Sequence, residues 1–97
     1  MNIYEPSDDT YLLIDALKNF HDLIALEIGV GNGLVTQELA MANDFIVGID
    51  IDAKAIDFTN QRIKKMHLTN RVDLLLGDSV SMFNNQFFDL VVFNPPY

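Results

Sequence analysis

The sequence contains no cysteine and is poor in basic residues, with 6 Lys and Arg against 14 Asp and Glu. Without cysteine, disulfide bonds and thiolate metal sites cannot form, and we expect no bound metal. The formal net charge of −8 would repel a polyphosphate backbone, which argues against the chain binding DNA or RNA on its own. A long apolar span and a basic leader with a cleavage site are also missing, so we expect a cytoplasmic protein.

What the sequence does contain is a regular alternation of helical segments and apolar runs. Its 97 residues, 49% of them hydrophobic, predict one domain over residues 1–97. The apolar runs are typical of buried parallel strands, joined through helices by right-handed crossovers. Ser7, followed by two aspartates, predicts the start of the first helix. The predicted strands are 23–28, 45–50, 71–76 and 88–93, and the later helices are 33–42, 53–67 and a short turn or helix near 79–84.

A glycine-rich loop follows the first strand. It reads Glu27-Ile28-Gly29-Val30-Gly31-Asn32-Gly33, and a loop of this kind either forms a tight turn or brings the backbone close to a ligand. A dinucleotide fingerprint would need glycine at the sixth position, where this chain has Leu34. Glu27 suits an ammonium group better than a pyrophosphate, because a carboxylate repels phosphate. S-adenosylmethionine carries such an ammonium group.

Acidic residues also follow the next two strands. Asp50 ends the second strand, where it could hold a ribose with two free hydroxyls in either kind of nucleotide cofactor. Asp78 follows the third strand and either caps a short helix or faces a ligand at the same edge of the sheet. Asp52 needs no ligand, since it stands where the N-cap of the following helix is expected.

The most informative motif is Asn94-Pro95-Pro96-Tyr97, directly after the apolar run 90–93. Asn-Pro and Pro-Pro are common chain breakers, and the motif could simply end a strand. However, the Asn94 side-chain oxygen and the Pro95 carbonyl can both accept hydrogen bonds from a planar amino group, and Tyr97 offers a flat face for stacking. With the glycine loop and the spaced acids, the motif indicates alkylation of nitrogen.

This combination resembles the class I S-adenosylmethionine-dependent methyltransferases with an Asn-Pro-Pro-Tyr motif. Within them, it is similar to the HemK-like glutamine methyltransferases of translation release factors. The segment from Tyr4 to Leu13 resembles the signature of their eukaryotic and archaeal branch. The resemblance implies an α/β fold with a Rossmann-like parallel sheet in strand order 3-2-1-4 and flanking helices. That fold would be incomplete, because the resembled enzymes have seven strands and continue well past Tyr97.

The resemblance also implies roles for individual residues. Pro6 and Thr10 would lie over the methionine end of S-adenosylmethionine, and Ile51 would pack on the adenine. Asp78 would accept from the adenine amino group, and the Ser79 backbone N–H would donate to the ring. The predicted catalytic residues are Asn94, Pro95 and Tyr97, and the predicted cofactor-binding residues are Pro6, Thr10, Glu27, Gly29, Gly31, Asp50, Ile51, Asp78, Ser79 and Asn94.

The expected reaction is N5-methylation of a glutamine side chain in a release factor. A sulfonium methyl group is already electrophilic, so positioning of the amide by Asn94 and Pro95 should be sufficient. His21 and His67 fall near predicted helix ends, and we interpret them as structural. Two alternatives remain open: N6-adenine methylation of nucleic acid, and a module that binds S-adenosylmethionine without turnover.

Two further partners are expected. The resemblance implies a small zinc-binding activator protein as a partner. The edge of the third strand either binds this activator or is an ordinary edge strand whose apolar faces are covered by helices. The fourth strand would be a bare apolar edge, and such an edge invites the addition of another strand. We therefore expect self-association or partial disorder at residues 88–97.

Overall fold

The computed structural model describes residues 5–78 and 87–94 of the chain. The four predicted strands are confirmed, with ends up to two residues shorter than expected. The turn or helix predicted near 79–84 and the site residues Ser79, Pro95 and Tyr97 lie outside the described residues. The elements are α1 (Asp8–Ala16), β1 (Ile24–Ile28), α2 (Leu34–Ala42), β2 (Phe45–Asp50), α3 (Ala53–Lys65), a 3₁₀ turn (Thr69–Arg71), β3 (Val72–Leu76) and β4 (Leu90–Phe93).

The strands form one parallel sheet in the order β3-β2-β1-β4, which confirms the predicted topology. Glu27 of β1 is paired with Gly48 of β2 on one side and with Val92 of β4 on the other. Asp50 at the end of β2 is paired with Leu76 at the end of β3. Because all strands run in the same direction, the loops that follow them leave the sheet at one edge, the carboxyl edge.

The two faces of the sheet carry different apolar clusters, because successive side chains of a strand point to opposite faces. The cluster on the first face includes side chains of all three helices and is formed around Ala25, Val35, Leu39, Ala40, Ile46, Ile63, Val72 and Val92. The cluster on the second face is formed by Leu26, Val47, Ile49 and Phe88. Glu27 follows Leu26 in β1 and points to the opposite face of the sheet, so its carboxyl lies on the helix-covered face.

The helix starts agree with the sequence analysis. Ser7 caps α1 through a reciprocal pair of hydrogen bonds with Thr10, in which each side-chain hydroxyl accepts the other residue's backbone N–H at 3.3 Å. Asp52 caps α3, where its carboxylate accepts the Lys54 N–H at 2.9 Å. Both caps satisfy backbone donors that a helix leaves without an internal partner.

The end of α1 differs from the expectation. The helix ends at Ala16, before His21. The buried side chain of Asn43 holds the segment that follows, donating to the Phe20 carbonyl at 3.2 Å and accepting from the Leu23 N–H at 3.1 Å. His21 therefore lies beyond the helix and contacts the Asp22 carboxylate at 2.8 Å, which corrects its interpretation as a helix-end residue. His67, in contrast, directly follows the C-cap residue of α3.

Both outer strands carry exposed apolar side chains. On β4, Val91 and Phe93 are 48% and 64% exposed, and on β3, Leu75 and Leu76 are 38% and 60% exposed. Among the described residues, no strand pairs with the outer side of β3 or β4. Helices of the length and apolarity needed to cross a bilayer are absent from residues 5–78 and 87–94.

Candidate functional site

The glycine loop adopts a backbone that requires glycine at its first position. Gly29 has φ +86°, in the left-handed region, and a Cβ at this position would collide with the backbone oxygen of Asn94. The Asn94 N–H also donates to the Ile28 carbonyl at 2.9 Å. The loop after β1 and the residue after β4 are therefore in direct contact at the carboxyl edge.

Asp50 joins three of the strand ends. One of its carboxylate oxygens accepts the Gly31 N–H at 3.1 Å, and the other accepts the Asp52 N–H at 2.9 Å. The Asp50 backbone carbonyl accepts the Gly77 N–H at 2.9 Å, which brings the exposed Asp78 to the same edge. Each carboxylate oxygen of Asp50 has a second lone pair, so it can still accept a hydroxyl of a ligand.

Glu27 lies beneath this edge and is completely buried. Its Oε1 accepts a short hydrogen bond of 2.5 Å from the Thr36 hydroxyl. Its Oε2 is also buried and has no hydrogen-bond partner among the described residues. Burial raises the pKa of Glu27 to about 8, and the charge of Asp50 adds to the increase, while hydrogen bonding to Thr36 and to Asn94 opposes it.

This arrangement fits a ligand that brings a cationic N–H donor. Buried polar atoms in folded proteins are almost always hydrogen-bonded, and an unpaired carboxyl oxygen is among the most costly exceptions. A positively charged group near Glu27 would stabilise its ionised form and offset the cost of burial. The loop also has room beside it, because among the described residues no atom outside Gly31 and its two chain neighbours lies within 4 Å of the position that a Cβ of Gly31 would take. Ligand binding to Oε2 would require a movement of the atoms that now enclose it.

The structure brings six of the predicted site residues to the carboxyl edge. They are Glu27, Gly29, Gly31, Asp50, Asp78 and Asn94. Ile51 is next to them and is 73% exposed, which leaves its side chain free to contact a ligand. Pro6 and Thr10 are at the start of α1, where the Thr10 hydroxyl is engaged with Ser7. Within the described part of the chain, no hydrogen bond links Pro6 or Thr10 to the edge residues.

Three residues of the neighbourhood were not predicted. Thr36 is the partner of Glu27, while Thr59 and Arg62 of α3 contact the glycine loop. A glutamate on the helix-covered face of a buried strand requires a polar partner, and this requirement was the only signal for Thr36 in the sequence. As for metals, no group of three or more Asp, Glu or His side chains with suitable geometry is found among the described residues.

Comparison with known proteins identifies the family. The sequence matches the family model described as Methyltransferase small domain over residues 6–97. Since the match covers nearly the whole chain, the protein belongs to this family. The family and the observed sheet confirm the class I methyltransferase fold that the resemblance implied.

Individual relatives agree with this assignment. A Methanocaldococcus jannaschii protein with the provisional name of protein N5-glutamine methyltransferase is 36% identical over 98 residues, covering 98% of this chain and 47% of the relative. The Release factor glutamine methyltransferase of Caulobacter vibrioides is 32% identical over 102 residues, covering 99% of this chain and 35% of the relative. The chain therefore spans about half or less of the length of these relatives.

A solved structure shows the same fold. A crystal structure described as that of a methyltransferase from Streptococcus mutans in complex with SAH superposes on this chain with a TM-score of 0.78 and 21% sequence identity. The superposition covers 96% of this chain and 55% of the other chain. At this level of identity the likeness concerns the fold alone.

Proposed function

We propose that this chain forms the cofactor-binding part of an S-adenosylmethionine-dependent methyltransferase that acts on a glutamine side-chain amide of a translation release factor. The observation that carries the proposal is the buried Glu27 carboxyl beneath a glycine loop that touches Asn94, with one oxygen that has no hydrogen-bond partner in the part of the chain that the structure describes. The family and the names of the relatives support the reaction type and the substrate class. A substrate that acts in translation is consistent with the expected cytoplasmic location.

Each of the residues at the carboxyl edge would bind a different part of the cofactor. Glu27 would interact with the ammonium group, Asp50 would accept the ribose hydroxyls through its remaining lone pairs, and Asp78 would accept from the adenine amino group. Ile51 would cover one face of the ring. When bound, S-adenosylmethionine supplies an electrophilic methyl group.

Asn94 is the described residue that would hold the substrate amide. We propose that its amide nitrogen donates toward the Glu27 carboxyl, since hydrogen bonding to Asn94 opposes the rise in the Glu27 pKa. The side-chain oxygen is then available to accept an N–H from the glutamine carboxamide. We propose that this contact, with the Pro95 carbonyl and the Tyr97 ring, aims the nitrogen and leaves its lone pair unblocked. A dedicated general base is not needed, since the proton is lost after transfer.

The test is a methyl-transfer assay on the variant Asn94→Ala. The chain is incubated with isotope-labelled S-adenosylmethionine and a release factor that contains a Gly-Gly-Gln segment, and methylation is read by mass spectrometry. Removal of one preorganised polar contact to the reacting group should lower the transfer rate by about a hundredfold or more. Cofactor affinity should be largely kept and should fall far less than the transfer rate.

The matched control is Asn19→Ala, an exposed asparagine that precedes β1 at the opposite edge of the sheet. It should alter neither cofactor affinity nor transfer. Undiminished transfer by Asn94→Ala would remove Asn94 from the mechanism. Methylation of an adenine-containing oligonucleotide in place of the release factor would favour N6-adenine methylation, and cofactor binding without any transfer would favour the binding module.

The exposed outer strands are the proposed places for partners. We propose that β3, with Leu75 and Leu76 exposed, is the edge at which a small zinc-binding activator would add a strand. The edge of β4, with Val91 and Phe93 exposed, would be the surface for self-association. Light scattering during size-exclusion chromatography measures the oligomeric state, and a monomer at all concentrations would contradict the second proposal.

A further inference from the structure

Two side chains of α3 donate hydrogen bonds to backbone carbonyls of the glycine loop. The Thr59 hydroxyl donates to the Gly31 carbonyl at 3.2 Å, and the Arg62 Nε donates to the Asn32 carbonyl at 2.9 Å. Both contacts join residues that are far apart in the sequence, with separations of 28 and 30 residues. The loop is therefore held by a helix that belongs to the next α/β unit.

Gly31 is bound at both of its polar backbone groups. Its N–H donates to Asp50, and its carbonyl accepts from Thr59. Thr59 is completely buried, and a Cβ at Gly33 would lie only 2.8 Å from its hydroxyl oxygen. Residues with little steric restriction rearrange at low cost, so the conformation of a glycine-rich loop depends on contacts from outside the loop. Asp50 and Thr59 provide those contacts on the two sides of Gly31.

Arg62 is itself fixed by neighbours. Its terminal nitrogen contacts the Gln37 side-chain oxygen at 3.4 Å, and its guanidinium lies over the Phe58 ring, 5.9 Å from the centroid. The long side chain therefore connects α3, the loop and the first turns of α2. Because these neighbours already restrict the Arg62 side chain, it loses less conformational entropy when a ligand fixes the loop in one conformation.

We propose that Thr59 and Arg62 are positioning residues for the cofactor site. They hold the loop in the conformation that binds S-adenosylmethionine, and they act through the Gly31 and Asn32 carbonyls rather than by touching the ligand. This inference rests on the proposed function, because it assumes that the loop binds this cofactor. It assigns part of the cofactor affinity to a helix that contributes no ligand-binding side chain.

The first experiment compares Thr59→Val with Thr59→Ser by titration calorimetry, with S-adenosylmethionine and S-adenosylhomocysteine as probes. Valine keeps the shape and loses the hydroxyl, whereas serine keeps the hydroxyl. Thr59→Val should weaken binding about fivefold, the effect of one ordinary hydrogen bond, and Thr59→Ser should stay within about twofold of the original. Equal losses in both variants would overturn the inference, because the hydroxyl would then not be the cause.

A second variant keeps the inference testable if Thr59→Val does not fold. Arg62→Met keeps most of the apolar stem and removes the donor to Asn32, and it should also weaken binding several-fold. The matched control is Lys65→Met, one turn further along the same helix and exposed. Arg62→Met that binds as tightly as Lys65→Met would contradict a role for Arg62.

Amide hydrogen exchange separates a local role from a general loss of stability. In Thr59→Val, exchange of the Gly31 and Gly33 amides should accelerate, while the amides of Ile46 and Val47 in the central sheet should exchange as before. Unchanged exchange in the loop would overturn the inference. If the original chain bound neither probe, the proposed function would fail, and faster loop exchange in Thr59→Val would still demonstrate that Thr59 holds the loop.

Discussion

Replacement of Glu27 by glutamine tests whether burial disfavours the ionised form of the Glu27 carboxyl. Glu27 is completely buried, and burial is the largest cause of the rise in its pKa from 4.5 to about 8. Glutamine has nearly the same shape, can accept the Thr36 hydroxyl bond through its oxygen, and carries no charge at any pH. The variant Glu27→Gln therefore removes the titration and keeps the packing.

The magnitude follows from linkage between proton binding and folding. Below pH about 4.5, Glu27 is protonated in both the folded and the unfolded state, and its burial carries no charge penalty. As the pH rises toward about 8, only the folded state retains the proton, and stability falls by about 1.4 kcal/mol per pH unit. Above pH about 8 the carboxyl ionises in the folded state too, and the accumulated cost levels off at about 5 kcal/mol.

The assay is urea unfolding at a series of pH values between 4 and 9, about the range in which Glu27 titrates. The free energies of unfolding of the original chain and of Glu27→Gln should agree near the acidic end and diverge as the pH rises, with the variant more stable. Glu5→Gln is the control, because it removes an exposed carboxyl and should give no such divergence. A difference between Glu27→Gln and the original chain that is constant with pH would refute the assignment of a raised pKa.

Two further predictions concern the backbone around the site and the opposite edge. Gly29→Ala should lower the free energy of unfolding by at least about 2 kcal/mol, because alanine is strained at the positive φ of this position and its Cβ would collide with the Asn94 backbone oxygen. A melting temperature equal to that of the original chain would contradict this close approach. Asn43→Ala should lower the free energy of chemical unfolding by about 2–3 kcal/mol, since the buried Asn43 side chain forms hydrogen bonds with the backbone of Phe20, Leu23 and Leu39. A decrease of less than about 0.5 kcal/mol would show that these bonds do not hold the segment after α1.

The sequence predicted those features that depend on local patterns. Apolar runs located all four strands, and the caps at Ser7 and Asp52 follow from short-range hydrogen-bonding chemistry. The strand order and the convergence of Glu27, Asp50 and Asn94 at one edge followed from the resemblance together with the geometry of parallel sheets.

Features that depend on contacts between distant segments could not be predicted. The segment after α1 is held by Asn43, which approaches it only in the folded chain. The pairing of Thr36 with Glu27 and the contacts of Thr59 and Arg62 with the loop also join separate elements. Threonine and arginine within helices carry no local sign of such roles, because the same residues are common on exposed helix surfaces.

The most direct test of the central claim is an NMR titration of the isotope-labelled chain with S-adenosylmethionine. The account predicts that the largest shifts of backbone amide signals occur at Gly29, Gly31, Gly33 and Asp78, at the carboxyl edge of the sheet. The amide of Asn43 at the opposite edge should remain unchanged. No shifts at saturating cofactor, or shifts centred on Asn43, would contradict the account.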